Sequence, residues 1–327
     1  MKTIRWGILG AGDVAEVKSG PAFYTLPASR LVAVMRRDPT LAADFARRHG
    51  ADRFYSDAEE FLADPDIDAI YVATPPSTHA ELTCAALAAG KSVYVEKPIS
   101  TDTRSADSML AADSAVGGNR LVVAHYRRAL PLFEAVASLL RRNAVGPVPH
   151  VDIRLTQRAP TGAAAENWRL DPAISGGGLF HDLAPHQIDL MMSWFGHATV
   201  VSDPPTPPGS PPITVDGVRG TFVTESGVRV RGFWDFDSDD AADECVIIGT
   251  AGTLTFPFFA PPTLKITDAD QSWRESFVHP PTVQQPFIAR VNDFFRGEGP
   301  NPCPPSEARH GLAVIEDLLA KSHRSRD

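Results

Sequence analysis

The chain has 327 residues, of which 43% are hydrophobic and 22% are charged, and this size and composition are typical of a globular protein with two domains. A net charge of −9, without a cluster of lysines and arginines among aromatic residues, argues against a nucleic-acid-binding protein. No apolar run reaches the roughly 18 residues of a membrane span, and Met1 leads directly into a short apolar strand, so we expect a cytoplasmic protein. Cys84, Cys245 and Cys303 lack the spacing of metal ligands, so no metal site is predicted, and a reducing compartment fits.

The first motif is a glycine-rich turn that follows the apolar run from Thr3 to Leu9. This turn, from Gly10 to Ala15, has the pattern G-x-G-x-x-A and precedes a predicted helix. Glycines at these positions let backbone N–H groups approach a pyrophosphate at the helix N-terminus. A plain glycine-rich turn is the alternative, but the order of strand, turn and helix favours dinucleotide binding. The candidate cofactor-binding residues here are Gly10, Ala11, Gly12, Asp13 and Val14.

The end of the second predicted strand, Leu31–Met35, indicates which dinucleotide binds. A carboxylate at that position would accept hydrogen bonds from the ribose 2′-hydroxyl of NAD, whereas arginine pairs with the 2′-phosphate of NADP. The chain has Arg36 and Arg37 there. Asp38 follows, but Pro39 after it is typical of a first helical residue, which makes Asp38 an N-cap. We therefore predict NADP as the cofactor, with NAD as the alternative.

A loop with the sequence T-P-P-S-T-H follows a buried strand that begins at Ile67. Its candidate cofactor contacts are Thr74, Pro75, Pro76 and His79. Capping-box patterns that begin at Ser56 and Thr78 predict helices on either side of this strand. Five clear strands, and a further short one near Arg53–Tyr55, alternate with helices and predict a doubly wound parallel sheet. We expect this sheet to form a dinucleotide-binding Rossmann domain over residues 1–125.

A second loop, with Glu96, Lys97 and Pro98, follows the apolar strand that ends at Val95. In open parallel sheets, ligands bind at the carboxyl ends of the strands, and this position favours a functional lysine over a plain surface lysine. Pro98 fixes its own φ angle and disfavours helix at Lys97. The lysine is therefore expected on a rigid, extended backbone.

The second half of the chain contains a glycine triplet, Gly176–Gly178, followed by the sequence L-F-H-D-L-A-P-H. Asp182 and His186 are four residues apart, so on a helix they share one face. A carboxylate one turn from a histidine, beside glycines that allow close approach of a ligand, favours a functional pair over a structural one. Pro185 lies between them: either the helix begins only at about Ala184, and the shared face is lost, or the helix is kinked there.

The remainder of the chain predicts a sheet and two final helices. Strands are expected over residues 148–157, 215–224, 228–235, 244–248, 253–256, 263–266 and 273–278, and helices over residues 131–142, 283–296 and 306–321. Hairpin turns are expected at Glu225–Gly227 and Thr250–Gly252, and the proline-rich segment 203–212 is interpreted as an exposed, semi-rigid loop. These elements predict an α+β domain over residues 126–327 with an open, mainly antiparallel sheet. This domain would bind substrate and form oligomers, and its last helix is free to pack back on the first domain.

Self-association is predicted from the apolar residues of that sheet. An antiparallel sheet commonly covers one face with helices, and Phe222, Val228 and Phe233 are expected on the other face, where they need cover. We therefore predict a homodimer or homotetramer.

Five motifs in this order resemble the Gfo/Idh/MocA family of glucose–fructose oxidoreductase-like and inositol dehydrogenase-like enzymes. They are the GAGDVA turn, the TPPSTH loop, the YVEKP stretch, the HYRR segment and GGGLFHDLAPH, and the resemblance covers essentially the whole chain. It implies that Lys97 lies at the reaction centre before a cis peptide bond to Pro98, and that Asp182 and His186 bind and deprotonate the substrate. The further cofactor contacts that it implies are Arg36, Arg37, Glu96, Arg127, Trp168 and Arg169. Asp13 departs from the family pattern, because a carboxylate beside a pyrophosphate is unfavourable unless it caps the helix.

The leading hypothesis is an NADP-dependent oxidoreductase that acts on a sugar, a polyol or a related small hydroxy or carbonyl compound. A non-sugar substrate such as a dihydrodiol is one alternative, and a non-catalytic dinucleotide-sensing regulator is another. Retention of Lys97, Asp182 and His186 argues against the regulator, which need not keep acid–base groups. Imidazole, with an ordinary pKa near ~6.5, suits proton transfer at neutral pH, while Lys97 can donate a hydrogen bond to the substrate oxygen.

Overall fold

The computed structural model describes residues 2–158, 160, 168–201 and 217–324, which leaves the proline-rich segment 203–212 outside the described residues. The strands, in chain order, are β1 (Ile4–Leu9), β2 (Ser29–Met35), β3 (Arg53–Tyr55), β4 (Ala69–Val72), β5 (Ser92–Val95), β6 (Leu121–Val123), β7 (His150–Arg158), β8 (Ala198–Val201), β9 (Gly217–Thr224), β10 (Arg229–Asp235), β11 (Asp237–Ile248), β12 (Gly252–Phe256), β13 (Thr263–Asp268) and β14 (Ser272–Ser276).

The α-helices are α1 (Ala22–Thr25), α2 (Pro39–His49), α3 (Ala58–Ala63), α4 (His79–Ala88), α5 (Thr103–Ala115), α6 (Pro131–Arg141), α7 (Pro172–Ser175), α8 (Gly178–Phe195), α9 (Gln285–Phe295) and α10 (Pro305–Arg324). A π-helix covers Ala15–Ser19, and short 3-10 helices cover Pro76–Thr78, Tyr126–Ala129 and Trp168–Leu170. Within the described ranges, no helix has the length and apolarity needed to cross a membrane.

The chain divides into two compact units. The first comprises Met1–Leu130, Ala173–Gly176 and Pro280–Arg309, and the second comprises Pro131–Pro172, Gly177–His279 and His310–Asp327. The predicted division placed one boundary after residue 125. Local sequence patterns did not indicate that a late segment of the chain returns to the first unit.

The first unit contains a six-stranded sheet in the order β3-β2-β1-β4-β5-β6, and all its neighbouring strands are parallel. This confirms the predicted doubly wound sheet and its short strand at Arg53–Tyr55. The strand order reverses between β1 and β4, and in such sheets the crevice outside the carboxyl ends at this point is the usual ligand site. The glycine turn follows β1, and the T-P-P-S-T-H loop follows β4.

The caps of the first unit's helices agree with the sequence in part. Asp38 caps α2 as predicted, because its side chain accepts hydrogen bonds from the backbone N–H groups of Thr40 and Leu41. The predicted cap at Ser56 is wrong by one residue: Asp57 accepts from the N–H of Glu60 and begins α3. Thr78 precedes α4, but its hydroxyl donates to Pro75 and to Thr74 within the loop instead of capping the helix.

Aromatic side chains fill the core of the first unit. Trp6, Phe23, Tyr71, Tyr94 and Phe287 form a continuous row with ring centroids 4.7 to 6.1 Å apart, and none of them is exposed. Burial of rings of this size dominates the hydrophobic stabilisation of a core. The two tyrosines also carry hydroxyl groups that need hydrogen-bond partners, and the partners define the site described below.

The second unit contains an eight-stranded sheet in the order β14-β13-β12-β11-β7-β10-β9-β8. Its pairs are antiparallel except for β7 with β10, which confirms a mainly antiparallel sheet. The edge strand β8 was not predicted, since its four residues form too short a run to stand out from the end of α8. Strand β11 begins seven residues before its predicted start, across a polar stretch in which the register shifts against β7.

The predicted exposed apolar face is wrong for two of its three residues. Phe222 and Val228 are buried. A side chain at Gly220, on the same face as Phe222, would collide with Leu318 of α10, so this helix covers that face. Phe233 points to the opposite face, where it is half-buried under the Arg219 guanidinium at 5.1 Å.

Candidate active site

The glycine turn lies against the loop after β4. Gly10 has a φ angle of +94°, and a Cβ there would lie 2.7 Å from Cγ2 of Thr74 and 2.9 Å from its backbone nitrogen. Glycine is therefore required for both the backbone conformation and the close approach of the two loops. A Cβ at Gly12 would meet nothing closer than the Gly10 carbonyl at 3.9 Å, so the turn leaves open space of the kind that a dinucleotide backbone needs.

The helix predicted after this turn is a π-helix. The Gly20 N–H donates to the carbonyl of Ala15 at 2.8 Å, five residues back, and a Cβ at Gly20 would lie 2.2 Å from that oxygen. Glycine at position 20 thus permits the wider turn, and single π turns are frequent at functional sites. Asp13 is exposed before this turn, and the helix has no side-chain cap at Val14, so the capping role considered for Asp13 is not formed.

Arg36 reaches back across the glycine turn from the end of β2. Its Nη1 donates to the carbonyl of Ala11 at 3.2 Å, and the backbone N–H groups of Gly10 and Ala11 both donate to Met35. Arg36 is half-buried and Arg37 is exposed. The carboxylate of Asp38 is turned to the N-terminus of α2 instead. The position expected to meet the ribose 2′ group therefore has a guanidinium and no available carboxylate.

His79 is fully buried and joins two loops. Its Nε2 lies 2.8 Å from the carbonyl of Thr74, and its Nδ1 lies 2.9 Å from the carbonyl of Pro98. Burial lowers the pKa of His79, while the two carbonyls act in the opposite direction. The ring thus ties the T-P-P-S-T-H loop to the segment that contains Lys97, and a direct contact with the cofactor, as predicted for His79, would need an exposed atom. Pro76 is also buried, whereas Thr74 and Pro75 are half-buried at the crevice.

Lys97 is half-buried after β5, and its peptide bond to Pro98 is cis, which confirms that prediction. The preceding Glu96 is buried. One carboxylate oxygen of Glu96 accepts from the hydroxyl of Tyr71 and from the side-chain amide of Gln284, and the other accepts from the backbone N–H of Lys97 at 3.1 Å. Glu96 therefore acts on Lys97 from within the core, although a cofactor contact was predicted for it.

Arg127 is buried in the 3-10 helix after β6, with its guanidinium 5.7 Å from the ring of Tyr126. Both residues belong to the first unit. Stacking on an aromatic ring holds a guanidinium in one orientation.

In the second unit, α8 runs without interruption from Gly178 to Phe195 with Pro185 inside it. Asp182 and His186 therefore do lie on one helical face, and the late helix start considered for Pro185 does not occur. Arg169 lies 3.6 Å from the Asp182 carboxylate and 4.5 Å from the Trp168 ring. His186 is buried, with its ring 5.9 Å from that of Phe259.

The predicted site residues thus form two groups. The glycine turn, Arg36, the T-P-P-S-T-H loop, Glu96, Lys97 and Arg127 belong to the first unit, and Trp168, Arg169, Asp182 and His186 belong to the second.

The sequence matches the profile of the Gfo/Idh/MocA oxidoreductase family with an NAD-binding Rossmann fold over residues 4–125, and the profile of that family's C-terminal domain over residues 133–255. It is 40% identical over 310 residues to the oxidoreductase P35 of Formosa agariphila, an alignment that spans 93% of this chain and 95% of the relative. The chain belongs to the Gfo/Idh/MocA family. It is an NAD(P)-dependent oxidoreductase.

Two further family members show how far the likeness extends. The 1,5-anhydro-D-fructose reductase of Ensifer adhaerens is 28% identical over 260 residues, covering 76% of this chain and 74% of that one. The solved structure of a 3-ketoreductase from Actinomadura kijaniata, in complex with NADP and TDP-benzene, superposes with a TM-score of 0.80 at 21% identity and covers 98% of each chain. At that identity the structural match concerns the fold alone.

Sequence reasoning missed four residues of this Gfo/Idh/MocA protein that surround Glu96: Ser19, Tyr71, Tyr94 and Gln284. The tyrosines left a signal, since a tyrosine in a strand expected to be buried must find a partner for its hydroxyl. Gln284 left none, because it lies 188 residues from Glu96 in a segment without a motif.

Proposed function

We propose that this protein uses NADP(H) to transfer a hydride between nicotinamide and a sugar, a polyol or a related small hydroxy or carbonyl compound. The observation that carries the cofactor choice is Arg36, whose guanidinium is held over the glycine turn by the carbonyl of Ala11. Arginine pairs with phosphate through charge-assisted hydrogen bonds. The substrate class is supported by the family and by the relative whose name specifies an anhydrofructose.

The first unit has the features that a dinucleotide requires: a glycine in the left-handed region at position 10, open space at Gly12 and a basic side chain after β2. Bound NADP(H) supplies the hydride chemistry. The protein orients the reactants and moves the proton. We assign Lys97 to donate a hydrogen bond to the substrate oxygen, where negative charge develops as the proton leaves.

The proton itself is assigned to His186, with Asp182 one helical turn before it. Imidazole gives and takes protons near neutral pH, which suits a reaction that runs in both directions. The Arg169 guanidinium beside Asp182 favours the charged carboxylate.

A panel of sugars and polyols with NADP⁺, and of their carbonyl counterparts with NADPH, tests the proposal through the absorbance of the reduced nicotinamide. We expect turnover with at least one sugar or polyol and a clear preference for NADP(H) over NAD(H). Turnover confined to dihydrodiols or other non-sugar compounds would contradict the substrate class, and equal use of NAD(H) would contradict the cofactor.

The proposal extends to the assembly and the compartment. We propose a homodimer or homotetramer formed through the second unit. The three cysteines are free thiols, which supports a reducing compartment such as the cytoplasm.

A further inference from the structure

Gln284 is a fully buried amide in the first unit, immediately before α9. Both polar groups of its side chain are used. Its Oε1 accepts from the hydroxyl of Tyr94 at 2.7 Å, and its Nε2 donates to the Glu96 carboxylate at 2.6 Å. Its backbone N–H donates to the carbonyl of Lys18 at 3.0 Å. One residue thus contacts β5, the π-helix and the carboxylate that precedes Lys97.

The Glu96 carboxylate is the centre of this arrangement. A buried carboxylate is tolerated only when hydrogen-bond donors replace the lost water. Here the donors are the amide of Gln284, the hydroxyl of Tyr71 and the backbone N–H of Lys97. The bond to Lys97 fixes the backbone from which its side chain begins, so the position of Glu96 sets the position of Lys97.

The same group of residues includes the π-helix. Ser19 donates to the Tyr71 hydroxyl at 3.1 Å, and Lys18 accepts from Gln284. These residues follow the glycine turn directly. The turn expected to bind the dinucleotide and the loop that contains Lys97 are therefore joined by buried hydrogen bonds through Tyr71, Glu96 and Gln284.

We infer that Gln284 is a positioning residue that orients Lys97 through Glu96 and keeps it in register with the glycine turn. The inference rests on the proposed role of Lys97. Gln284 itself touches neither substrate nor cofactor in this assignment. Its loss should therefore reduce kcat far more than it weakens NADPH binding.

The first test replaces Gln284 by methionine, which has a similar shape and lacks the amide group. We expect kcat to fall by about tenfold or more, while the Kd for NADPH, from nucleotide fluorescence, changes by less than about threefold. Asn292→Leu is the matched control, because Asn292 is another buried amide of α9 and accepts from the indole of Trp6 at 3.0 Å. Asn292→Leu should lower stability and leave kcat unchanged. A kcat near the wild-type value in Gln284→Met, or equal losses in both variants, would overturn the inference.

The second test uses Gln284→Glu. The titratable groups that contact Gln284 or Glu96 are Tyr71, Tyr94 and Glu96, and burial holds the pKa of both tyrosines well above its usual value, so they remain neutral. Two carboxyl groups at hydrogen-bond distance share one proton, and the introduced carboxyl group, when protonated, can donate to Glu96 as the amide did. Activity of this variant, relative to wild type, should rise at least threefold as the pH falls from 8 to 6. A constant ratio would contradict the inference.

A third measurement does not depend on turnover. Acetylation of lysines in the protein without nucleotide, followed by mass spectrometry of peptides, reports how firmly Lys97 is held. We expect Lys97 to react at least threefold faster in Gln284→Met than in wild type, while Lys265 reacts at the same rate. Wild-type protein inactive on every substrate would reject the proposed function alone, whereas an unchanged Lys97 rate would reject the positioning role. Tyr94→Phe, which removes one support of Gln284, should show a smaller increase and serves if Gln284→Met does not fold.

Discussion

Arg36 illustrates how a single side chain at the end of a strand selects a cofactor. It lies over the backbone of Ala11, and the next carboxylate along the chain, Asp38, is engaged at the start of α2. The charge offered to the ribose 2′ group is therefore positive.

Arg36→Ala should weaken NADPH binding by roughly 10- to 100-fold, because a hydrogen bond to a charged group contributes about 1.5–3 kcal/mol. NADH binding should change by less than about twofold. Fluorescence titration of both nucleotides measures this. Arg30→Ala is the control, since Arg30 lies on the same strand and pairs with Asp52. Equal Kd values for NADPH and NADH in wild type would refute the cofactor assignment.

Lys97→Ala should lower kcat/KM by about 10²-fold or more, on the scale of a lost hydrogen-bond donor to a developing oxyanion. The Kd for NADPH should stay nearly unchanged, because the glycine turn and Arg36 are intact. Lys265→Ala, a lysine of β13 in the second unit, serves as control. Retained turnover in Lys97→Ala would remove Lys97 from the mechanism.

His181 is a buried histidine that makes stability depend on pH. Burial lowers the pKa of its imidazole from 6.5 to about 4, and the ring packs so closely on Gly177 that a Cβ there would lie 2.0 Å from it. Between these values the unfolded chain binds a proton that the folded protein does not. Stability is therefore fully present above about pH 6.5 and decreases as the pH falls towards 4.

This loss should amount to about 3 kcal/mol at most, since each pKa unit corresponds to about 1.4 kcal/mol. Urea unfolding at several pH values between 7 and 4 should show a smaller slope for His181→Gln than for wild type. An exchange at the half-exposed His197 should retain the wild-type slope. Identical slopes in wild type and His181→Gln would contradict the prediction.

At the scale of elements, two helices depart from the regular α form beside the site. The π-helix after the glycine turn inserts one extra residue per turn, and Ser19 at its end faces Tyr71. Helix α8 tolerates Pro185 in its interior, although proline removes one hydrogen bond of the helix and crowds the carbonyl of His181. Both departures come at segments to which family resemblance assigns binding or catalysis, where local strain is commonly retained.

The N-terminus of α2 gives a test at this scale. Asp38→Ala should destabilise the protein by about 1 kcal/mol, because its side chain satisfies two backbone N–H groups, while Asp38→Asn should retain most of the cap. Thermal or urea unfolding measures the difference. NADH affinity should stay within about twofold of wild type in both variants. A selective loss of NADH binding in Asp38→Ala would show that this carboxylate serves the ribose.

For the whole molecule, the assembly is the main expectation. The face of the second sheet opposite Phe222 presents Phe233 together with charged pairs such as Arg231 with Asp152. A half-buried aromatic residue with paired charges around it is a composition found in subunit interfaces.

Light scattering at micromolar concentration should give twice or four times the chain mass of 35.2 kDa. Phe233→Asp should shift this mass towards the monomer. Trp273→Asp, at an exposed position of the edge strand β14, should leave it unchanged. A monomeric wild type would refute the proposed oligomer.

The sequence by itself determined the elements and the family, because the signals for both are local. Alternating strands and helices, the G-x-G-x-x-A turn and the Asp38-Pro39 cap each depend on a few adjacent residues, and their backbone preferences hold before any long-range contact forms. The cis bond before Pro98 and the Asp182/His186 pair came from motif resemblance, and the structure agrees with the bond and with the shared helical face.

Only the tertiary structure decided which side chains support Lys97. Tyr71, Glu96 and Gln284 come from three distant segments, and a hydrogen bond between residues 188 positions apart leaves no trace in either segment's composition or periodicity. The same reason explains why Phe222 was expected on an exposed face and His79 at the cofactor. A strand's alternation separates its two faces but does not tell which one a later helix will cover, and a histidine in a loop shows its partners only when the loop has folded.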